Sequence, residues 1–240
     1  IVCCGFIAPF SYAQPFELSI TKVFWGTLTE IIQAKPGDKN IQLNIVFQNT
    51  GETQLSEVTA FLYLYNTPFR DSATNGYIAV AGYPEQVKPG GSMTFTFNLN
   101  ILEDAGLKVY ELPLTVKAKT PRYLTPVEQS YYVKVPLLGE VKFLVTLTPT
   151  SIFPGNNSLS LTLENVGSAD AKNVKVSIST TQTTVFQKHS NIWYVGIVKS
   201  KESKPINLLL FIPNSLTNSP LQFSVRLDYV DAYGVSRFEN

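Results

Sequence analysis

The chain has 240 residues, of which 15% are charged, with 19 Lys and Arg against 18 Asp and Glu and a formal net charge of +1. So balanced a chain gives no electrostatic reason to expect nucleic acid or an anionic membrane surface as partner. The length exceeds one sandwich domain and fits two of about 100 residues each. Aromatics at 12%, with abundant Val, Ile, Thr and Tyr, favour strands over helices.

Residues 1–13 are apolar and uncharged, ending in Ser11-Tyr12-Ala13 before Gln14-Pro15. Small residues at those positions are what a signal peptidase reads, so the segment is expected to be the remnant of a secretory signal. A buried first strand is the alternative, and lipid attachment at Cys3 or Cys4 a third, although no small-residue lipobox precedes them. Under the signal reading the mature chain begins near Gln14, is exported, and contains no cysteine, because Cys3 and Cys4 are the only two. No other stretch approaches the ~20 apolar residues of a membrane-spanning helix.

Strand-like runs then recur between Pro, Gly, Asn and Asp punctuation. In chain order they cover 17–24, 41–48, 57–65, 77–81, 92–99, 110–119 and 129–135 in the first half. The second half offers 141–147, 158–164, 174–180, 192–198, 206–212 and 221–229. Phe95, Phe97 and Leu99 alternate with Thr94, Thr96 and Asn98, and Leu159, Leu161 and Leu163 alternate with polar neighbours. Period-two alternation means one buried face and one wet face. The one helical turn expected lies around Leu102 to Leu107, where Glu103, Asp104 and Ala105 are poor strand formers.

An internal repeat organises these runs. Pro36-Gly37, a strand, Asn49-Thr50-Gly51 and Val58 are answered by Pro154-Gly155, a strand, Asn165-Val166-Gly167 and Val174. Further on, Leu114-Thr115-Val116-Lys117-Ala118 resembles Phe223-Ser224-Val225-Arg226-Leu227, so the spacing of matched positions narrows from 118 to 109 residues. Proline fixes one bend and glycine frees the next, while in Asn-x-Gly the asparagine side chain bonds nearby backbone and the glycine is expected to take the positive φ that other residues resist. The chain therefore reads as all-β, two tandem immunoglobulin-like (Greek-key) β-sandwiches over 14–137 and 138–240, with the boundary near Leu137-Leu138-Gly139.

These turn motifs, together with Val87-Lys88-Pro89-Gly90-Gly91-Ser92 and Ala171-Lys172-Asn173-Val174, resemble the β-sandwich repeats of archaeal S-layer-type envelope proteins. The tandem layout looks like the smaller, membrane-anchored stalk component of Sulfolobus-type S-layers, although neither a coiled coil nor a C-terminal membrane helix is seen in the sequence. The resemblance implies an extracellular, cell-surface structural protein whose partners are other surface-layer proteins or further copies of itself. It implies membrane association only through a segment outside these residues.

Chemistry-bearing constellations are sparse. His189 stands alone and reads as a loop histidine rather than a metal ligand or general base, since no second His or Cys follows Gln14. Asp228 and Asp231 precede Ala232-Tyr233-Gly234 and read as turn residues, with a calcium site as the alternative. Neither cofactor nor catalytic residues are expected. Tyr63, Tyr65, Phe69, Tyr77 and Tyr83 cluster in the first half, where either the tyrosines or Leu62 and Leu64 must face outward. Trp193, beside Ile192 and Val195, reads as core, and Tyr194 as its neighbour. Asn156-Asn157-Ser158 is a sequon, making Asn156 a candidate glycan acceptor in an exported chain.

The leading functional expectation is therefore a non-enzymatic envelope component working as a stalk or spacer. One alternative is a filament or pilus subunit whose strand 16–24 completes its neighbour. Another is a carbohydrate-binding accessory module, which requires an exposed aromatic strip.

Overall fold

The computed structural model describes residues 16–123, 125–149, 151–180, 185–187, 190–216 and 220–240. The expected signal remnant, Cys3, Cys4 and His189 lie outside the described residues. The strands are β1 (Leu18–Trp25), β2 (Ile41–Asn49), β3 (Ser56–Tyr63), β4 (Phe69–Asp71), β5 (Ile78–Tyr83), β6 (Ser92–Ile101), β7 (Lys108–Lys119) and β8 (Val127–Leu137). They continue as β9 (Phe143–Thr148), β10 (Gly155–Asn165), β11 (Ala171–Thr180), β12 (Phe186–Gln187), β13 (Ile192–Val198), β14 (Ser203–Ile212), β15 (Phe223–Val230) and β16 (Ser236–Glu239).

All thirteen runs read from the sequence are strands. The three it did not show, β4, β12 and β16, have 3, 2 and 4 residues, too few for alternation to register. Leu102 to Leu107 is a turn without helix, closed by Ala105 N–H donating to Leu102 O at 3.2 Å. Among the described residues the helical element is a single 3₁₀ turn, Asn214–Leu216.

The fold is all-β and sandwich-like, built from four sheets ordered β1-β2-β6-β4, β5-β3-β7-β8, β12-β14-β10-β9 and β13-β11-β15-β16. The pairings of defined register are antiparallel. The chain divides into two compact units. The first takes the described residues up to Gly26, with Lys39–Asn100 and Tyr110–Val135; the second takes Thr27–Asp38, Ile101–Val109 and Pro136–Asn240.

In the first unit the alternating faces of β2 and β6 bury Leu43, Ile45, Phe47, Phe95, Phe97 and Leu99, and those of β3, β7 and β8 bury Ala60, Leu62, Leu114, Val116, Val133 and Val135. Phe47 meets Tyr131 edge-on at 5.3 Å, and Phe69 meets Tyr110 at 5.1 Å, so the two sheets interlock through aromatic rings. Each such fully buried side chain contributes roughly 1.5–3 kcal/mol. Leu62 and Leu64 are fully buried, which turns Tyr63 and Tyr65 outward, because neighbours on a strand face opposite ways.

In the second unit Leu159, Leu161 and Leu163 of β10 and Leu208 and Leu210 of β14 pack with Val174, Val176, Ile178 and Leu227 from the other sheet. Phe143 meets Tyr229 edge-on at 5.2 Å. Trp193 is partly buried against this core, as read from sequence.

The segment Thr27–Asp38 is tied down within the second unit. Tyr233 O–H donates to Ala34 O and accepts from Leu138 N–H, both at 2.8 Å. Arg237 donates to Ile31 O at 2.6 Å, and Lys35 pairs with Glu140 at 2.7 Å. Burial, helped by nearby Asp231, pushes the Tyr233 hydroxyl from 10.0 up to about 12, and burial also raises the Tyr229 hydroxyl. A raised folded-state pKa means that stability from these groups is complete below the unfolded value of 10.0 and is lost as pH rises toward the folded values. Alkaline titration should therefore show the second unit unfolding above pH 10, with part of the tyrosinate absorbance appearing in step with loss of circular dichroism. Tyrosinate that forms fully at pH 10 with the fold intact would contradict this.

Candidate functional site

The turn residues singled out from sequence form the same latch in both units. Asn49 and Asn165 close β2 and β10, and both are wholly buried. Asn49 Nδ2 donates to Thr53 O at 2.8 Å and Val87 O at 3.2 Å, while its Oδ1 accepts from Gly51 N–H at 3.2 Å. Asn165 repeats this: Nδ2 donates to Ala169 O at 2.8 Å and Val198 O at 3.1 Å, and Oδ1 accepts from Gly167 N–H at 3.1 Å. The backbone around each latch matches too. Gly51 N–H donates to Glu17 O and Gly167 N–H to Lys142 O, both at 3.2 Å. Asn49 O accepts from Gly90 N–H and Asn165 O from Lys201 N–H, both at 2.8 Å, with Gly90 and Lys201 at φ +78° and +63°. Lys201 thus holds by force of context the left-handed turn that glycine adopts freely.

The Pro-Gly pairs are less alike. Pro36-Gly37 forms a turn in which Gly37 takes φ +88° and Asp38 N–H reaches Lys35 O at 3.3 Å. Gly155, at φ +102°, is already the first residue of β10, following Pro154.

The repeat also requires one correction. Glu57 and Asn173 occupy left-handed bulges at φ +47° and +53°, each followed by the matched valine, Val58 or Val174. From there Ala60 pairs with Val116 and Val176 with Leu227, so Val116 corresponds to Leu227 and not to Val225. The similarity of 114–118 to 223–227 is slipped by two residues. A slip of two keeps every side chain on its proper face, so alternation alone cannot detect it.

Asn156 is exposed at the start of β10, while Asn157 turns its amide to Phe153 O and Gly155 O. Asp231 is buried and serves its turn: its carboxylate accepts from Tyr233 N–H and Val235 N–H, both at 2.9 Å, and pairs with Arg237 at 2.8 Å. Asp228 points the other way, onto the outer face of the β13-β11-β15-β16 sheet, and does not join it. In the first unit Tyr65 and Tyr77 stack at 5.3 Å with Arg70 over Tyr77 at 4.3 Å, whereas Phe69 is core.

The outer face carrying Asp228 holds a groove of about 710 Å³, lined among others by Tyr194, Lys175, Arg226, Asp228 and Phe238. Register places Tyr194 beside Lys175, Lys175 beside Asp228 and Asp228 beside Phe238, one residue from each strand in a single row. At about 4.8 Å between strands the row runs about 14 Å. Lys175 and Arg226 both pair with Asp228 at 3.0 Å, and Arg226 lies over the Phe238 ring at 4.7 Å. Hydrogen bonds from Arg226 and then Lys175 hold the Asp228 carboxyl below the usual aspartate range. The end rings are open to solvent, Tyr194 at 84% and Phe238 at 62%. Between Tyr194 and Gly196 the pairing slips by one residue, a bulge that re-aims the strand beside the groove. The sequence singled out Asp228 as a turn residue, which its place within β15 on the outer face corrects, and Tyr194 only as one of an aromatic pair, and it did not single out Lys175, Arg226 or Phe238. Alternation puts each on the outer face, yet only cross-strand pairing brings them together.

The matching place in the first unit is also a groove, about 540 Å³, lined by Glu57, Thr59, Gly82 and Lys117 among others. Its row reads Gly82, Thr59, Lys117. The backbone plan is shared, but the rings of the first unit's groove, Phe61 and Tyr83, lie off this row, with Lys117 over the Phe61 ring at 5.2 Å.

No family model matches the chain. Over 198 residues it is 27% identical to the uncharacterized protein MJ1561 of Methanocaldococcus jannaschii, covering 75% of this chain and 34% of that protein. The chain thus spans about a third of the length of the curated relative it matches. Among solved structures it is similar to a protein of unknown function from Porphyromonas gingivalis W83, at 12% identity and a TM-score of 0.27 over 93% of this chain and 96% of that one. A second likeness is to the E. coli chaperone DraB, at 9% identity and a TM-score of 0.27, covering 92% and 93%.

Proposed function

We propose that the chain is an exported, non-enzymatic structural component of a cell envelope or surface layer, made of two tandem immunoglobulin-like Greek-key sandwiches. It serves as a stalk or spacer in contact with other surface proteins or with copies of itself. The observation that supports this reading is the latch built twice. Two units of one plan, each closed by a buried asparagine through the same three hydrogen bonds, suit a module made to be strung in series. Buried side-chain networks of this kind rigidify a fold without disulfides, which fits a chain whose only cysteines are Cys3 and Cys4. Asn156, exposed on β10, is the proposed glycan acceptor.

Antibodies raised against the second unit should label intact cells of the source organism, and external protease should remove the label. Deleting the gene should disturb the envelope seen by electron microscopy of cell sections. Intact mass of the native protein should exceed the polypeptide mass by a glycan that Asn156→Gln removes. Recovery of the protein from the cytosolic fraction, with the envelope unaltered in the deletion, would refute the reading.

A further inference from the structure

We propose that the row Tyr194–Lys175–Asp228–Phe238 on the outer sheet of the second unit is a binding site for an acidic oligosaccharide, one whose rings carry carboxylates. This inference stands apart from the envelope reading, since an envelope component need not bind sugar through this groove.

A sugar ring has one apolar C–H face, which stacks on an aromatic side chain, and a polar rim, which needs hydrogen-bonding groups close by. The groove offers both. Tyr194 and Phe238 present exposed rings from the two outer strands of four, whose backbones lie about 14 Å apart. That span suits a short chain of rings better than a single one. Singly exposed apolar side chains are ordinary, and what marks these two is that they flank one groove on one sheet face with cations between them. Here two of them share a row in one unit, and the corresponding row of the other unit begins with Gly82 and Thr59. The first unit's groove carries its rings, Phe61 and Tyr83, beside the row rather than at its end.

Charge selects among sugars. Lys175 and Arg226 share the single carboxylate of Asp228, which leaves one positive charge in surplus at the middle of the row. The Lys175 ammonium has three donors, of which the pairing with Asp228 takes one. Arg226 bonds Asp228 through Nε and Nη2, and its guanidinium has donors beyond those two. These donors face a groove that a ligand carboxylate can enter with its ring on Tyr194. Asp228, held ionised by the same two cations, keeps them in place and accepts from sugar hydroxyls. The complex is thus built from aromatic stacking and a charge-assisted hydrogen bond, and a neutral sugar makes only the first of these.

The test is titration calorimetry on the full chain with a galacturonic acid hexamer as the acidic probe and maltohexaose as the neutral one. The acidic hexamer should bind at least about tenfold more tightly than the neutral one, and more weakly as salt is raised. Tyr194→Ala and Lys175→Met should each weaken it by about tenfold, while Thr59→Ala, in the matching row of the first unit, should leave affinity unchanged. Tyr194 is almost wholly exposed, so its variant should keep the parent melting temperature; Phe238→Ala serves if Lys175→Met does not fold. Failure of the hexamer to bind, or parent-like affinity in Tyr194→Ala, would overturn the proposal. So would poly-L-glutamate binding as tightly and competing, because the face would then be a general anion surface without preference for sugar.

Discussion

Replacing Asn165 with alanine should destabilise the second unit by about 3–5 kcal/mol, which makes it among the most damaging truncations available in this chain. The side chain is wholly buried and makes four hydrogen bonds, two as donor and two as acceptor, the second acceptor bond being a long one of 3.5 Å from Lys142 N–H. Removing it deletes those bonds and takes a buried donor from Ala169 O and Val198 O, while Gly167 N–H keeps only its 3.2 Å bond to Lys142 O. An unsatisfied buried group costs about 1–3 kcal/mol, more than a satisfied one gains. For a unit near 100 residues that loss corresponds to a fall in melting temperature of more than about 12 °C. Asn156→Ala, exposed on the same strand, should stay within about 0.5 kcal/mol. Asn165→Asp adds a second signature. A carboxylate facing two carbonyl oxygens is repelled, and only its protonated form can donate, so the folded-state pKa of the new group is raised. Its penalty should therefore be smallest below the unfolded aspartate value of ~3.9, where both states are protonated, and should grow as pH rises from there through the raised folded value. Urea unfolding of the three variants reads all of this. Equal midpoints for Asn165→Ala and Asn156→Ala would show that the latch does not hold the unit.

The latch was legible before the structure because it is local. Asn-x-Gly after an alternating strand places an amide within reach of its own loop, and turn chemistry of that kind is written in adjacent residues. The core was legible for a similar reason, as Leu159, Leu161 and Leu163 show by period two alone. The groove was not. Tyr194, Lys175, Asp228 and Phe238 are spread over 64 residues of chain and meet only through three cross-strand registers. The two-residue slip at 114–118 came from the same blindness, because sequence alternation repeats every two residues and cannot count pairs. The short strand β16, four residues long, went unseen, and with it went the strand that carries Phe238. The assignment of Thr27–Asp38 and Ile101–Val109 to the second unit likewise depends on contacts such as Tyr233 to Ala34, which are long-range in sequence.

Gly167→Ala should cost about 3 kcal/mol or more, while the equivalent Gly51→Ala should cost only about 1 kcal/mol. Both glycines are the third residue of the latch motif, and neither takes the positive φ expected of it from the Asn-x-Gly pattern, so the glycine is needed for space and the difference is steric. A Cβ on Gly167 would lie 2.3 Å from Glu140 O and 2.6 Å from Lys142 N, both main-chain atoms. Neither can swing aside as a side chain would. Glu140 O accepts from Ser168 and Ala169 N–H at 2.8 and 2.9 Å, and Lys142 O from Val166 N–H at 2.8 Å, so moving that segment breaks several bonds together. On Gly51 the added carbon meets Glu17 N at 3.1 Å and Glu17 Cβ at 3.4 Å, close enough that a shift of a few tenths of an ångström suffices. The chain preceding β1 is attached at that point by Thr50 and Gly51 N–H to Glu17 O, at 3.1 and 3.2 Å, longer than the shortest bonds around Gly167. Thermal unfolding of the two alanine variants should therefore separate them by roughly 8 °C or more. Similar losses in both would mean that the second latch relaxes as readily as the first, and that its tight glycine is a packing detail rather than a requirement of the Asn165 network.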